Sequence, residues 1–346
     1  MTDDDVGAFM ATMVMRPHAL PLPHAVSLAR EHYGLEARAA RLTGERDENF
    51  RISAADGSEF VLKVAHPAEN PEVGDLINAA LLHLERYDPA LPCPRVVRER
   101  RGNTQVRFSD DSGAARTARL LTYLPGSPLG HAASSRRLRA ECGRLGGRLT
   151  RALQTFEHPG AHRAVVWDVR HAAYLVRLLG QVPGFPHPAD AMAVLESIVP
   201  RIESGFPQLR QQIVHNDMNP LNLLVSGAGE VTGIIDFGDM TYTAVIADVA
   251  VTAAEHLPMD CAAGGSTAAE AVRDIVSAYH ESVPLQPAEL TMLGTLVAAR
   301  LVANLVVHEW HLHRNPAGEH YRPLDADFIR ERLQIAAELS LEEGPW

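Results

Sequence analysis

Four side chains able to handle protons or hard cations punctuate an otherwise apolar stretch in the second half of the chain. His215, Asp217 and Asn222 lie within Ile213-Val214-His215-Asn216-Asp217-Met218-Asn219-Pro220-Leu221-Asn222-Leu223-Leu224-Val225, and Asp236 ends Gly233-Ile234-Ile235-Asp236. An apolar strand running into an aspartate leaves that carboxylate at the edge of a core, partly dry and rigidly held. Oxygen acceptors at the ends of adjoining hairpin strands, Asn222 and Asp236, can converge on one hard cation such as Mg2+. Asp217, on the loop between, then faces the same point. Taken singly, each is also what a turn recruits for backbone reasons. The joint pattern, strand-HxDxxxxN-strand-turn-strand-D, is not what turns account for.

A second signal is compositional. Among 32 basic residues Lys63 is the single lysine, all the others being arginine. Either it is a chance survivor of a strong Arg bias, or its position needs a compact ammonium on a flexible stem, which guanidinium cannot imitate.

The elements that must position these groups fall into two unlike halves. Residues 1–20 read as a loose, flexible arm, with Pro17, Pro21 and Pro23 at or beyond its end. A short helix over His24 to Tyr33 is stopped by Gly34. Short alternating segments up to Leu42, over Asn49 to Ile52 and over Phe60 to Val64, with an Asp56-Gly57 hairpin signal, make an antiparallel meander. Pro71 opens an amphipathic helix carrying Leu76, Ala80, Leu81 and Leu84. Further strands are expected near Arg95 to Val97, Val106 to Phe108 and Ala118 to Tyr123. The Pro/Gly-rich Leu124 to Leu129 is the linker. Beyond it helical periods dominate (Ser134 to Phe156, Trp167 to Leu179, Ala189 to Ile202, Ala268 to Tyr279, Pro287 to His311, Ala326 to Leu341), and Ile213 to Ile235 is the only strand-like stretch. The division is an N-terminal lobe over 21–123, a linker over 124–130 and a helical lobe over 131–346, with a cleft between.

Composition sets the limits. With 346 residues, 46% of them hydrophobic, and a net charge of −11, the chain is globular, and neither nucleic acid nor an anionic membrane is its expected partner. Cys93, Cys142 and Cys261 lie far apart and form no metal or disulfide pattern. Asp3, Asp4 and Asp5 stand where an export signal would carry positive charge. Leu290 to Val307, interrupted by Arg300 and Asn304, reads as a buried helix rather than a membrane span. A cytoplasmic setting is expected.

The HxDxxxxN spacing followed by Ile235-Asp236 resembles the signature of the aminoglycoside phosphotransferase and choline kinase family, and Phe60-Val61-Leu62-Lys63-Val64 falls at the place of its phosphate-binding lysine. Gly44-Glu45-Arg46-Asp47-Glu48-Asn49-Phe50, Asn70-Pro71 and Ile234 to Asp239 resemble the hydroxylysine kinase branch. The resemblance implies an α+β, two-lobed, protein-kinase-like fold: an antiparallel-sheet N-lobe with one main helix and a mostly helical C-lobe. It implies a small-molecule kinase using Mg2+ and ATP or GTP, with Asp217 taking or orienting the proton of the acceptor hydroxyl. Asn222 and Asp236 would hold the metal and Lys63 the phosphates, while His215 braces the loop. Arg46 and Asn49, in the turn Gly44 to Asn49, would cover the phosphates. Asp75, or else Glu72, would pair with Lys63, and the base would lie against Leu121 to Leu124, including Tyr123. Asp248 is either a helix cap or a second brace.

Asn216 replaces the arginine of protein kinases and the helix expected at Ile246 or Ala247 leaves no room for an activation loop. A small acceptor follows: an amino-alcohol or hydroxylated amino acid, hydroxylysine first, with aminoglycoside, homoserine and choline types as alternatives. An amino acid needs a cation for its carboxylate, for which Arg170, Arg300 and Arg314 are available. His308, His311, His313, Trp310, Trp167 and Asp168 read as packing or acceptor-pocket residues, not a metal site. The rival of another class is an inactive kinase-fold nucleotide-binding module, and a further one a Mg2+-independent small-molecule carrier.

Overall fold

The computed structural model describes all residues except 1–2, 16–18, 45, 131–134, 258–266, 317–321, 343 and 345. In chain order the elements of the first half are α1 (Asp3–Val14), α2 (Leu22–Tyr33), β1 (Ala37–Leu42), β2 (Glu48–Ala54), β3 (Glu59–Val64), α3 (Pro71–Tyr87), β4 (Val96–Val97), β5 (Val106–Ser109), β6 (Ala115–Thr122) and β7 (Ser127–Pro128). The second half has α4 (Arg136–Ala152), α5 (Ala172–Leu179), α6 (Pro188–Gly205), β8 (Gln211–Val214), β9 (Leu223–Val225), β10 (Val231–Ile234), β11 (Thr241–Ala244), α7 (Val245–Glu255), α8 (Ala268–His280), α9 (Pro287–Arg314) and α10 (Ala326–Leu341).

The meander β1-β2-β3-β6-β4, with β5 also on β6, is antiparallel throughout. Its inner face, with Phe50, Ile52, Leu62, Val64 and Leu120, closes a core with α2. Asn70 caps α3 by accepting from the Glu72 backbone N–H, and Pro71 occupies the first turn, where a missing N–H costs nothing. The stripe Val73, Leu76, Ile77, Ala80, Leu81 and Leu84 packs down onto Leu149, Leu153, Phe156 and Ala161. The lobes therefore share a core under α3.

The second lobe is helical around α9, whose long apolar window is 83% buried inside the fold. Its strands differ from the single hairpin expected over 213–235. β9 and β10 do form a hairpin, with the linker strand β7 added on its edge. β8, however, pairs with β11, a strand the periodicity did not reveal. Cys93 and Cys142 are buried free thiols, and Cys261 lies outside the described residues.

The largest departure is at the N-terminus. Where a flexible arm over 1–20 was expected, with Pro17 outside the described residues, α1 is a helix whose Val6, Met10 and Met13 are buried in the C-lobe core. The spacing of those three residues is helical, and the prolines beyond only end the helix. Met10 is 2% exposed, so Met10→Ala should cost about 2–4 kcal/mol in a denaturant titration. A free arm would leave the midpoint unmoved.

Candidate active site

β8 delivers His215, Asn216 and Asp217 into a sharp bend, with Asn216 in the left-handed region (φ 63°). Asp236, beyond β10, is also left-handed (φ 57°). Asn and Asp tolerate this backbone better than other non-glycine residues, and such outliers gather at functional sites. Asp248, in the first turn of α7, braces the bend: its Oδ1 accepts from the Asn216 N–H at 2.8 Å and its Oδ2 from the Thr150 hydroxyl at 2.9 Å. It is a brace and not a helix cap. Burial pushes its carboxyl up to about 6.

His215 is fully buried, which pushes its imidazole down to about 4 and leaves it neutral at pH 7. Its Nδ1 accepts from the Asp217 N–H at 3.3 Å, and its ring meets Phe237 edge-on with centroids 4.7 Å apart. One ring thus locks the Asp217 loop to the Asp236 turn.

Asp217 is held from both sides. Asn219 Nδ2 donates to Oδ1 at 3.0 Å and Oδ2 at 3.1 Å, and Asn222 Nδ2 to Oδ2 at 2.7 Å. Arg300 Nη2 donates to Oδ1 at 3.0 Å. Burial raises the Asp217 carboxyl above the usual range, with Asp239 and Glu255 adding to the rise and the Arg300 guanidinium opposing it. Asn222 spends its amide nitrogen on Asp217, and its backbone carbonyl accepts from the Ile235 N–H at 2.9 Å, which fixes it beside the Asp236 strand. Its Oδ1 is left uncommitted.

Lys63 on β3 reaches across the lobes to Asp236, Nζ to Oδ1 3.2 Å, and its ammonium holds that carboxyl below the usual range. The expected pairing with Asp75 is not formed. Asp75 is turned toward His158 at 3.4 Å, and Glu72 sits at the exposed start of α3 beside Asn70. The space between β3 and α3 is filled instead by Arg119, toward which Gly74 turns its missing side chain; a Cβ there would lie 3.3 Å from Arg119 Nη1 and 2.7 Å from Gln105 Oε1.

Arg46, Asn49, Lys63, Asp217 and Asp236 all line one cleft of about 560 Å3. Asp47, Glu69, Arg119 and Asp239 line it too and were not anticipated. Asp239 was legible as the last residue of the Asp236 turn, and Arg119 as a charge inside an apolar strand. Leu121 and Tyr123 are not brought into the cleft. Leu121 pairs with Val61 and Val96, and the Tyr123 N–H is spent on Glu59 O at 3.1 Å.

Of the three arginines considered for a carboxylate, Arg300 serves Asp217, Glu255 and the Trp167 carbonyl, and Arg170 is held by Asp168 and the Tyr242 carbonyl. Arg314 lies over Trp310 beside Gln181. His308 bonds the Arg322 carbonyl, and no cluster of three His, Cys, Asp or Glu suited to a metal ion occurs among the described residues.

Asp248 carries a pH prediction. Its carboxyl is raised in the folded state, so the native chain holds that proton more tightly than the unfolded one, and this group's contribution is lost as pH climbs from about 4 to 6. The stability of Asp248→Asn relative to the wild type should therefore improve with rising pH in paired denaturant titrations. A pH-independent difference would contradict the buried, proton-holding carboxyl.

The model of the phosphotransferase enzyme family matches residues 17–290. The chain is 27% identical to the hydroxylysine kinase of Mus musculus over 335 residues, 90% of this chain and 87% of that one. An amicoumacin kinase solved with AMP-PNP and Ca2+ superposes with a TM-score of 0.63 at 17% identity, covering 87% of each chain. A microcompartment-associated aminopropanol kinase gives 0.61 at 18%, covering 92% of this chain and 95% of that one. The fold is thus protein-kinase-like, and the chain belongs to the phosphotransferase enzyme family, as a small-molecule phosphotransferase acting on a hydroxyl group.

Proposed function

We propose that the protein transfers the γ-phosphate of ATP or GTP to the hydroxyl of an amino-alcohol or hydroxylated amino acid, hydroxylysine first. The observation that carries this is the meeting of Asp217, Asp236 and Lys63 in the lining of one cleft between the lobes, with Asn222 bonded to Asp217 behind it. An inactive nucleotide-binding module would not need the whole set. The relatives named for hydroxylysine and aminopropanol both point to an alcohol that also carries an amine. The choice of a hydroxylated amino acid leans on these relatives, because Arg300 is already committed to Asp217. A cytoplasmic setting, with no nucleic-acid or membrane partner, belongs to the same reading.

In this reading Asp217 orients the acceptor hydroxyl and takes its proton as the oxygen attacks phosphorus. Its raised proton affinity makes it a better acceptor than a solvated carboxylate. Its four N–H contacts keep the carboxylate in one orientation, so little is lost in positioning it when the acceptor arrives. Lys63, with Nζ at the mouth of the Asp236 turn, contacts the phosphates. The donors present suit Mg2+: the uncommitted Oδ1 of Asn222 and the carboxylate of Asp236 are hard oxygens on adjoining segments. When bound there, Mg2+ would neutralise charge on the phosphates. The N–H groups of Thr122 and Tyr123 are spent on Arg95 O and Glu59 O, so the base is assigned to the linker beyond them, at Leu124.

The test is nucleoside diphosphate release with Mg2+ and ATP or GTP across hydroxylysine, homoserine, choline, ethanolamine and aminoglycosides. Asp217→Asn should lower acceptor-dependent turnover about 100- to 10,000-fold while leaving nucleotide affinity within a few-fold. Turnover that survives in this variant removes Asp217 from the chemistry. Lys63→Arg, which keeps the charge, should still raise the KM for nucleotide, because the planar fork cannot replace a compact ammonium at that distance from Asp236.

A further inference from the structure

The turn between β1 and β2 has one glycine, Gly44, and even that is needed for its own fold, since a Cβ there would lie 2.3 Å from Asp47 O and 2.5 Å from Asn49 Nδ2. A loop so short of glycine offers few free backbone amides to a triphosphate. The neighbouring strands offer something else. In register, Asn49 on β2 faces Lys63 on β3, and Lys63 faces Arg119 on β6. Directly opposed residues project from the same face of a sheet, and two like charges there repel. Both are withdrawn from water, with side-chain exposures of 11% for Lys63 and 3% for Arg119. Such a pair is stable only against anions.

The anions present are makeshift. Arg119 Nη2 meets Asp47 Oδ2 at 3.3 Å, a long contact for a charged pair, while its buried Nε has no partner. Arg46 Nη2 meets Glu69 at 3.3 Å, and its buried Nε is likewise unpartnered. Asp47 belongs to the loop that covers the phosphate site. We propose that Arg119 is a second phosphate-binding residue beside Lys63, and that the Asp47 carboxylate stands in for a nucleotide phosphate until one arrives. The proposal rests on the nucleotide-dependent reading above and extends it to a residue outside the family signature described here.

Two substitutions separate this from a merely structural ion pair. Arg119→Gln removes the phosphate's partner, whereas Asp47→Asn removes only its competitor, so calorimetric titration with Mg2+-ATP or Mg2+-GTP and with inorganic tripolyphosphate should move in opposite directions. Arg119→Gln is expected to weaken both ligands about tenfold or more, the scale of one lost charge-assisted contact, and Asp47→Asn to tighten both severalfold. Melting curves accompany each variant. If both variants weaken binding alike, or neither changes it while the wild type binds nucleotide, the pair is structural and the proposal falls alone. If the wild type binds no nucleotide, the kinase reading falls with it. Should Arg119→Gln fail to fold, the sign of the Asp47→Asn change decides: weaker or unchanged binding overturns the proposal.

Discussion

The site depends on keeping one carboxylate, that of Asp217, largely out of water without losing its geometry. A buried carboxylate is costly unless each oxygen finds donors. Here Oδ1 and Oδ2 are served by Asn219, Asn222 and Arg300, so the same bonds that offset desolvation also aim the group. The cation is supported in turn. Arg300 gives its Nε to Glu255, its Nη1 to the Trp167 carbonyl and its face to the Trp167 ring, 5.0 Å from the centroid. Asn304, one turn further along α9, binds the same Glu255 oxygen. Asp217 is therefore joined through Arg300 to α9, α7 and the segment before α5. Removing Arg300 would leave two acids facing each other in a dry site.

The same logic orders the cleft as a whole. Its N-lobe side presents Arg46, Lys63 and Arg119, and its C-lobe side presents Asp217, Asp236 and Asp239. Each cation already leans on an acid, and with Asp47 and Glu69 the lining holds five acids against these three cations. A polyanion accompanied by a divalent cation would fit such a lining better than a polyanion alone, because the metal would take over carboxylates that the phosphates release from their cations. Burial raises the Asp239 carboxyl, against the Arg163 and Arg46 guanidiniums. Asp239 is thus under-compensated, and it sits two residues beyond Phe237, the ring that locks the loop of Asp217 to the turn of Asp236.

What was legible in the sequence follows from what is local. The hairpin carrying Asn222 and Asp236, the Asn70-Pro71 start of α3 and the lone lysine could be seen because turn chemistry, capping and composition act over a few residues. The partner of Lys63 could not. An acid on the next helix is the natural choice, but Gly74 leaves α3 open at that point and Arg119, placed by the register of β3 on β6, fills the gap. Long-range pairing also hid β11, whose Thr241 and Thr243 are buried and bond Ala161, Arg163 and Asp168 rather than showing an apolar alternation. The base-facing residues failed for a related reason: a sheet's interior strand spends its amides on both neighbours, so Leu121 had none to offer.

The N-terminal helix shows how much a missed element can change the mechanics. α1 lies outside residues 17–290 matched by the family model, yet it touches both lobes. Val6, Met10 and Met13 are sunk in the C-lobe core, while the Phe9 ring lies under the Arg46 guanidinium at 4.9 Å. Beyond the helix the Met15 carbonyl meets His66, and Leu20 bonds Glu48 through its N–H and Arg41 through its carbonyl. Opening the lobes must strain this second connection as well. Two tethers on different sides of a cleft restrict its motion far more than one. β11 and α7 follow Asp236 directly, so no long loop lies between Asp236 and α7. The cleft of this kinase is accordingly lined from the turn before β2, from β3, α3 and β6, and from the Asp217 and Asp236 turns, and α1 reaches its rim through the Phe9 contact with Arg46.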